Sequence, residues 1–300
     1  MRVGVDIGGT KTDAVAITAE GRIAGRLRLP TGFGSSAVLE TAVAAVTELA
    51  TLAGVETADF RSIGIGIPGA VDNDTGRVSH AVNLGFNGLE LGAELSNRLG
   101  RDVRIENDVN AAALGAFHLL EKHHKNSMAY LNLGTGLAAG LVLGGRLWRG
   151  SRGTAGEIGH IPVDPSGPLC PCGQRGCLET VASGSAVARQ WPSDDPKPVN
   201  ALFAAAASGD ALAREVKNRL VENVAAAVRV LVLAVDVDSV VIGGGISSLG
   251  EELLNEVHEV LESWGAVSPF LASLDLTTRV HLVPAGFPAA AVGAALIGAA

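Results

Sequence analysis

Between Glu157 and Glu179 the chain reads EIGHIPVDPSGPLCPCGQRGCLE, which gathers His160 and all three cysteines of the protein, Cys170, Cys172 and Cys177. One imidazole and three thiols at this spacing suit Zn²⁺, which favours four tetrahedral N and S donors in a closed structural site. A loop so rich in glycine and proline carries little apolar material of its own, and a metal would supply the missing core. The competing reading is chance burial of the thiols, or one disulfide with a spare thiol. Three cysteines between positions 170 and 177, with none elsewhere, favour the metal. Glu157 and Glu179 flank the ligands, so the folded loop would hold two carboxylates on a rigid clip. An isolated histidine is most often a satisfied core residue. With one ring nitrogen on a metal, however, the other keeps a fixed tautomer and can orient a hydroxyl.

Three glycine turns and one acidic segment add to this. DIGGTKT, Asp6 to Thr12, offers backbone N–H groups unobstructed at Gly8 and Gly9, hydroxyls on Thr10 and Thr12, and the cation of Lys11, which are phosphate-binding parts. Asp6, at the end of a strand, can hold Mg²⁺ directly or through water. Alone, such a turn is as readily just a hairpin tip. LGTG at 133–136 repeats the chemistry with Gly134, Thr135 and Gly136, and GGGIS at 243–247 offers a glycine corner at Gly244 and Gly245 for a base or ribose. ENDVNAA, from Glu106 to Ala112, places carboxylates at the mouth of a helix. The plainer reading makes Asn107 or Asp108 only the N-cap there; the functional alternative is Asp108 as general base toward a hydroxyl, with Asn107 beside it able to donate and accept.

The elements that must position these residues follow from periodicity. Alternating Val and Ile around the first turn predict strands over 3–7 and 13–18, and the second turn has strands at 129–133 and 138–143. Apolar spacing predicts a helix from Ser35 through Leu52, closed by Gly54. Strands follow at 62–67, ended by Pro68-Gly69, and at 103–106, and an alanine-rich helix at 109–120. Residues 191–199 (WPSDDPKPV) read as a linker, followed by helices over 200–208 and 210–235, a strand at 239–242, a helix at 251–264, a strand at 280–283 and a small-residue helix at 289–298. The second hairpin echoes the first, so the chain is expected to be internally duplicated, with a cleft between two lobes lined by both glycine turns.

Composition excludes several classes. The 300 residues are 47% apolar but only 4% aromatic, which points to an α/β core of small side chains. Apolar runs around 225–235 and 288–300 are short or interrupted, so no membrane span is expected. The chain opens on a strand-like MRVGVDIGG without a secretory leader pattern, and a cytoplasmic setting is expected, where thiols stay reduced. A net charge of −8 offers no footprint for nucleic acid. Histidines 118, 123 and 124 read as solvated surface. Small molecules are the expected partners.

Taken together, DIGGTKT, ENDVNAA, LGTG, GEIGH at 156–160, CPCGQRGCLE at 170–179 and IGGG at 242–245 resemble the ROK family of sugar kinases and repressors, within the actin/hexokinase/Hsp70 ATPase fold. The resemblance covers nearly the whole chain, and the cysteine motif is its most specific part. It implies an α/β, two-lobed, duplicated ribonuclease-H-like architecture with a cleft and a structural zinc loop. The lobes would be 1–115, joined by the C-terminal helix at 289–300, and 116–288. It further implies ATP-dependent phosphorylation of a hexose, usually at the 6-hydroxyl, with Mg²⁺ in the cleft and a structural Zn²⁺ on His160, Cys170, Cys172 and Cys177. Asp108 would be the base. Gly69, Asn83, Asn107, Glu157, His160 and Glu179 would hold the sugar, and Asp6, Gly8 to Thr12, Gly134 to Gly136, Gly244 and Gly245 the nucleotide side. By the same analogy a homodimer or tetramer is expected. Departures are Leu137-Ala138-Ala139 where more glycine is common after the second turn, and Ala116 where a glutamate is frequent. The first phosphate strand begins at Arg2 or Val3, so no DNA-reading segment of the repressor type is expected.

Glucose is the leading acceptor. N-acetylglucosamine, N-acetylmannosamine or an amino sugar such as kanosamine stay open, because substitution on the ring is read by pocket shape. A non-catalytic sugar sensor is the alternative of another class, and intact Asp108 and phosphate turns weigh against it. An actin-like or chaperone-type ATPase would leave the zinc loop and its glutamates without a role.

Overall fold

The computed structural model describes residues 1–120 and 126–298. In chain order the elements are β1 (Arg2–Ile7), β2 (Lys11–Ile17), β3 (Ile23–Pro30), α1 (Ser35–Ala53), β4 (Ser62–Ile67), β5 (Ala70–Asp72), β6 (Arg77–Ser79), α2 (Leu91–Leu99), β7 (Val103–Asn107) and α3 (Asp108–Leu119). There follow β8 (Ser127–Leu133), β9 (Leu137–Leu143), β10 (Arg146–Trp148), α4 (Gly184–Gln190), α5 (Pro198–Ala207), α6 (Ala211–Val235), β11 (Ser239–Gly243), α7 (Glu251–Val267), α8 (Pro269–Ala272), β12 (Val280–Leu282) and α9 (Ala289–Ile297). Two five-stranded sheets have the orders β3-β2-β1-β4-β7 and β10-β9-β8-β11-β12. Counted within its own sheet, each has the order third, second, first, fourth, fifth. In the first, β1 and β2 and then β2 and β3 pair antiparallel, while β1, β4 and β7 run parallel. In the second, β9 and β10 pair antiparallel and β8, β11 and β12 run parallel. The expected duplication is therefore a repeat of one strand topology.

The chain divides into two compact units, one of Met1–His123, Gly140–Ala155 and Gly286–Ala300, the other of His124–Ala139 and Gly156–Ala285. A boundary between 115 and 116 would cut α3, which runs unbroken from Asp108 to Leu119 and stays whole in the first unit.

In the first unit, β1 and β4 are buried on both faces and read as near-continuous apolar runs, as parallel strands covered by helices do. On one face lies α1, whose Val38, Leu39, Ala42, Val46 and Leu49 are buried while Glu40, Thr47 and Glu48 stay exposed. By length and composition alone this helix is apolar enough to cross a membrane. Its alternation of buried and exposed positions is that of a core helix. Helix α9 packs on β1, β4 and α3. The approach is so close that a Cβ on Gly64 would overlap the carbonyl oxygen of Ala294, which explains the run of small residues in AAAVGAALI. His118 is half-buried, its ring against Gly21, rather than solvated, and His123 and His124 lie outside the described residues.

In the second unit, α6 is the long core helix, started by the Asp210 side chain, which accepts the Ala213 N–H, and stopped at Asp236 in the left-handed region. Its Val216, Leu220, Val224, Val228 and Leu231 are buried at helical spacing. The linker expected over 191–199 is irregular only to Lys197, and α5 starts earlier than expected, at Pro198, a residue suited to a first helical turn because it lacks only an N–H that has no partner there.

Candidate active site and metal centre

Within the first unit the candidate residues collect at the carboxyl ends of β1, β4 and β7, where parallel α/β sheets bind ligands. The register aligns Asp6 with Gly66 and Gly66 with Glu106. Asp6 ends β1, Gly69 follows β4, and Asn107 closes β7 just before Asp108 opens α3. Burial, and then the neighbouring carboxylates of Asp108 and Asp13, hold Asp6 well above the ordinary carboxylate value, with Arg28 opposing them.

Asn107, not Asp108, is the N-cap: its Oδ1 accepts the N–H groups of Val109 (2.9 Å) and Asn110 (3.2 Å). Such a cap is worth about 1 kcal/mol. The same amide donates Nδ2–H to the carbonyl of Gly69 at 3.2 Å, so it ties the end of β4 to the start of α3. Asp108 Oδ1 accepts the Val109 N–H at 3.0 Å.

Beneath this pair Glu106 is fully buried, and four residues satisfy it. Oε1 accepts the Asn107 N–H at 3.0 Å and Asn110 Nδ2 at 3.1 Å. Oε2 accepts Asn73 Nδ2 at 3.1 Å and two nitrogens of Arg149, Nε at 2.7 Å and Nη2 at 2.6 Å. Breaking such a buried pair from one side costs about 3–5 kcal/mol. Sequence reasoning assigned no role to Glu106, Asn73, Asn110 or Arg149. A glutamate inside the strand VRIEN was a legible signal, since a buried carboxylate demands a cation, but its partner lies 43 residues away.

The first glycine turn closes on itself, with Gly8 N–H donated to the Lys11 carbonyl at 3.0 Å, and Gly9 lies beside Asn83. Thr10 and Lys11 are exposed. Thr12 differs from the expectation: it is fully buried, and its hydroxyl pairs with that of Thr31 at 2.7 Å, so it braces the hairpin instead of presenting an oxygen at its tip. The reason is β-alternation, which turns Thr12 inward once Lys11 faces out.

In the second unit, two glycine corners lie at the carboxyl ends of the parallel strands β8 and β11. A Cβ on Gly244 would come within 2.5 Å of the Leu133 carbonyl and 2.7 Å of Asn132 Oδ1, so the LGTG and GGG segments are neighbours. Gly134 N–H is donated to Gly136 O at 3.0 Å, while the carbonyls of Gly134 and Thr135 accept the N–H groups of Gly184 and Ser185 at the start of α4. Thr135 and Gly245 are exposed.

The cysteine loop is fastened to this turn. Ala139 N–H is donated to the Gly156 carbonyl at 2.8 Å, and Glu179 Oε2 accepts the Leu137 N–H at 3.0 Å. A Cβ on Gly136 would overlap that same carboxylate oxygen. His160 turns Nδ1 toward Cys170 Sγ (3.7 Å) and Nε2 toward Glu157 Oε2 (4.0 Å).

The four candidate ligands, His160, Cys170, Cys172 and Cys177, place one donor atom each within 4.8 Å of all the others. Cys172 and Cys177 Sγ are 3.6 Å apart, and the cysteines are free thiols. A tetrahedron with Zn–S bonds of about 2.3 Å has edges of about 3.8 Å, so the cluster fits the ion. The backbone N–H of Gln174 lowers Cys172 to about 6, which favours a thiolate ligand, whereas burial pushes Cys177 up to about 12. Pro162 and Cys177 form an isolated antiparallel bridge, as do Leu169 and Arg175, which gives the loop a backbone frame for the ligands.

Residues 2–299 match the ROK family. The chain is 34% identical over 281 residues to a glucokinase of Halalkalibacterium halodurans, covering 87% of this chain and 85% of that protein. It is 31% identical over 267 residues to an N-acetylmannosamine kinase of Haemophilus influenzae, covering 88% and 86%. The fold superposes on the crystal structure of a ROK glucokinase from Streptomyces griseus in complex with glucose and AMPPNP, with a TM-score of 0.80, 30% identity, and coverage of 99% of this chain and 98% of that one. The match runs along the whole length of sequence and fold alike, and the chain belongs to the ROK family, as one of its sugar kinases.

Proposed function

We propose that this protein is a glucokinase-type enzyme that transfers the γ-phosphoryl group of ATP to the 6-hydroxyl of glucose, with Asp108 as the general base. The observation that carries the reading is the placement of Asp108 at the first position of α3, directly after an N-cap whose own side chain is anchored on Gly69. A sugar hydroxyl is a weak nucleophile. Asp108 accepts its proton as the new O–P bond forms and the bond between the γ-phosphorus and the bridging oxygen breaks, releasing ADP. Asn107 has one amide hydrogen on Gly69 O, and the reading gives its second to the sugar. Gly69, Asn83, Glu157, His160 and Glu179 complete the assigned sugar contacts. On the nucleotide side the Gly8 and Gly134 N–H groups are used inside their own turns. Phosphate contacts accordingly fall to Gly9, Thr10, Thr135 and Gly136, with Lys11 as cation and Gly244 and Gly245 toward the nucleoside.

Asp6 is the residue that would hold Mg²⁺. Its half-buried carboxyl beside a second carboxylate favours a nearby cation, and the ion would neutralise phosphate charge. Zn²⁺ on the Cys₃His cluster has a structural role in this reading: it holds Glu157, His160 and Glu179 in place. The same reading places the enzyme in the cytoplasm, where three free thiols persist.

The 31% identity to an N-acetylmannosamine kinase supports a second acceptor class, N-acetylated or amino sugars, for the same machinery. The deciding experiment is ADP release from ATP and Mg²⁺ with glucose, mannose, N-acetylglucosamine, N-acetylmannosamine, glucosamine, kanosamine and no sugar. The highest kcat/KM is expected with glucose. A higher value with an N-acetyl sugar replaces the acceptor but keeps the kinase, and silence on every sugar from folded, zinc-loaded protein overturns the reading.

A further inference from the structure

We propose that Arg149 is a positioning residue for phosphoryl transfer: through Glu106 it fixes the residues on either side of Asp108, and so the direction in which the base presents its carboxylate. The inference rests on the sugar-kinase reading and adds a residue to it.

Glu106 spends its Oε1 on the Asn107 N–H and the Asn110 side chain, the residues one before and two after Asp108. Any rotation of that carboxylate is passed to the cap and first turn of α3. Its orientation is set from the other side, because both Arg149 contacts fall on Oε2, at 2.7 Å and 2.6 Å. Arg149 supplies the positive charge to a buried group that two uncharged asparagines and a backbone N–H could not neutralise. Without it Glu106 would be a buried carboxylate with no cation, a costly arrangement that its surroundings would relax by moving.

Arg149 is itself held. Trp148, the residue before it, pairs with Leu141 across β9 and β10, and the Ala155 N–H closes the following loop onto the Arg149 carbonyl at 3.2 Å. Its side chain is 36% exposed and lines a cavity of about 650 Å³ together with Ala70, Asp72 and Ser79. It is thus a wall residue that can be exchanged without emptying the core. Glu106 is also one of three carboxylates, with Asp6 and Asp108, at the ends of β1 and β7 and the start of α3.

The test is a double-mutant cycle with Arg149→Met, Arg149→Lys, Glu106→Gln and Glu106→Gln/Arg149→Met, assayed as sugar-dependent ADP release well below each melting temperature. Arg149→Met is expected to lower kcat, referred to the folded fraction counted by circular dichroism, at least about tenfold while KM for ATP stays within about twofold, so that the loss lies in the transition state and not in ATP binding or in the amount of folded enzyme. Arg149→Lys should recover part of the loss, and the double variant should be no slower than Glu106→Gln, since the arginine has then lost its charge partner. A kcat of Arg149→Met within twofold of the parent, or strictly additive losses, overturns the proposal. If Arg149→Met does not fold, the uncharged Arg149→Gln takes its place in the cycle with Glu106→Gln and decides by the same criteria. An inactive parent on every sugar would instead overturn the kinase reading.

Discussion

Asp6 and Asp108 both approach the Cα of Gly66 from the side its Cβ would take, where that atom would lie 3.8 Å from Asp6 Oδ1 and 3.6 Å from the Asp108 Cα. The two acids share one neighbourhood, and the one on the strand feels the other. Burial comes first and the charge of Asp108 second in holding Asp6 well above 3.8.

That shift has a sign in stability. The folded protein keeps a proton on Asp6 that the unfolded chain releases above about 3.8, so the contribution of this group falls as pH rises from there through its folded value. Asp6→Asn has no such proton. In metal-free buffer the melting-temperature difference, variant minus parent, is expected to grow between about pH 4 and pH 8. A pH-independent difference would show that the acid carries no penalty.

Asp108→Asn keeps the size of the side chain and removes the base. Glucose binding measured by calorimetry should stay within a few-fold of the parent, while kcat falls by about 10²–10⁴. Turnover comparable to the parent would take Asp108 out of the base role.

The zinc cluster gives a third expectation. Metal analysis of purified protein should find about one zinc per chain, and Cys172→Ser, with three donors left, should lose it. Melting temperature should drop and KM for the sugar rise together, because Glu179 follows two residues after the ligand Cys177. Zinc-free protein of unchanged stability would refute the metal reading of the loop.

Gly136→Ala probes the link from the zinc loop to the second glycine turn. The added methyl would occupy the place of Glu179 Oε2 and drive the carboxylate off the Leu137 N–H. A displacement of about 1 Å at this carboxylate should cost up to about 10²-fold in kcat/KM for the sugar, with zinc content unchanged. Parent-like kinetics would mean that Glu179 does not touch the acceptor.

Local sequence determined the parts of this protein whose physics is local. Apolar periodicity located α1, β4, α6 and α9 to within a few residues, because a buried face must repeat at the period of its element. The metal cluster was legible because its ligands are few, rare and close in the chain. Elements with little apolar signal escaped: β3 alternates exposed and half-buried positions, and α2 starts without a side-chain cap. Only the tertiary structure decided that Asn107 is the cap, that Thr12 turns inward, and that Arg149 is the cation for Glu106. Each of these depends on which distant group comes within hydrogen-bond reach, and a linear pattern of residue types does not contain that information.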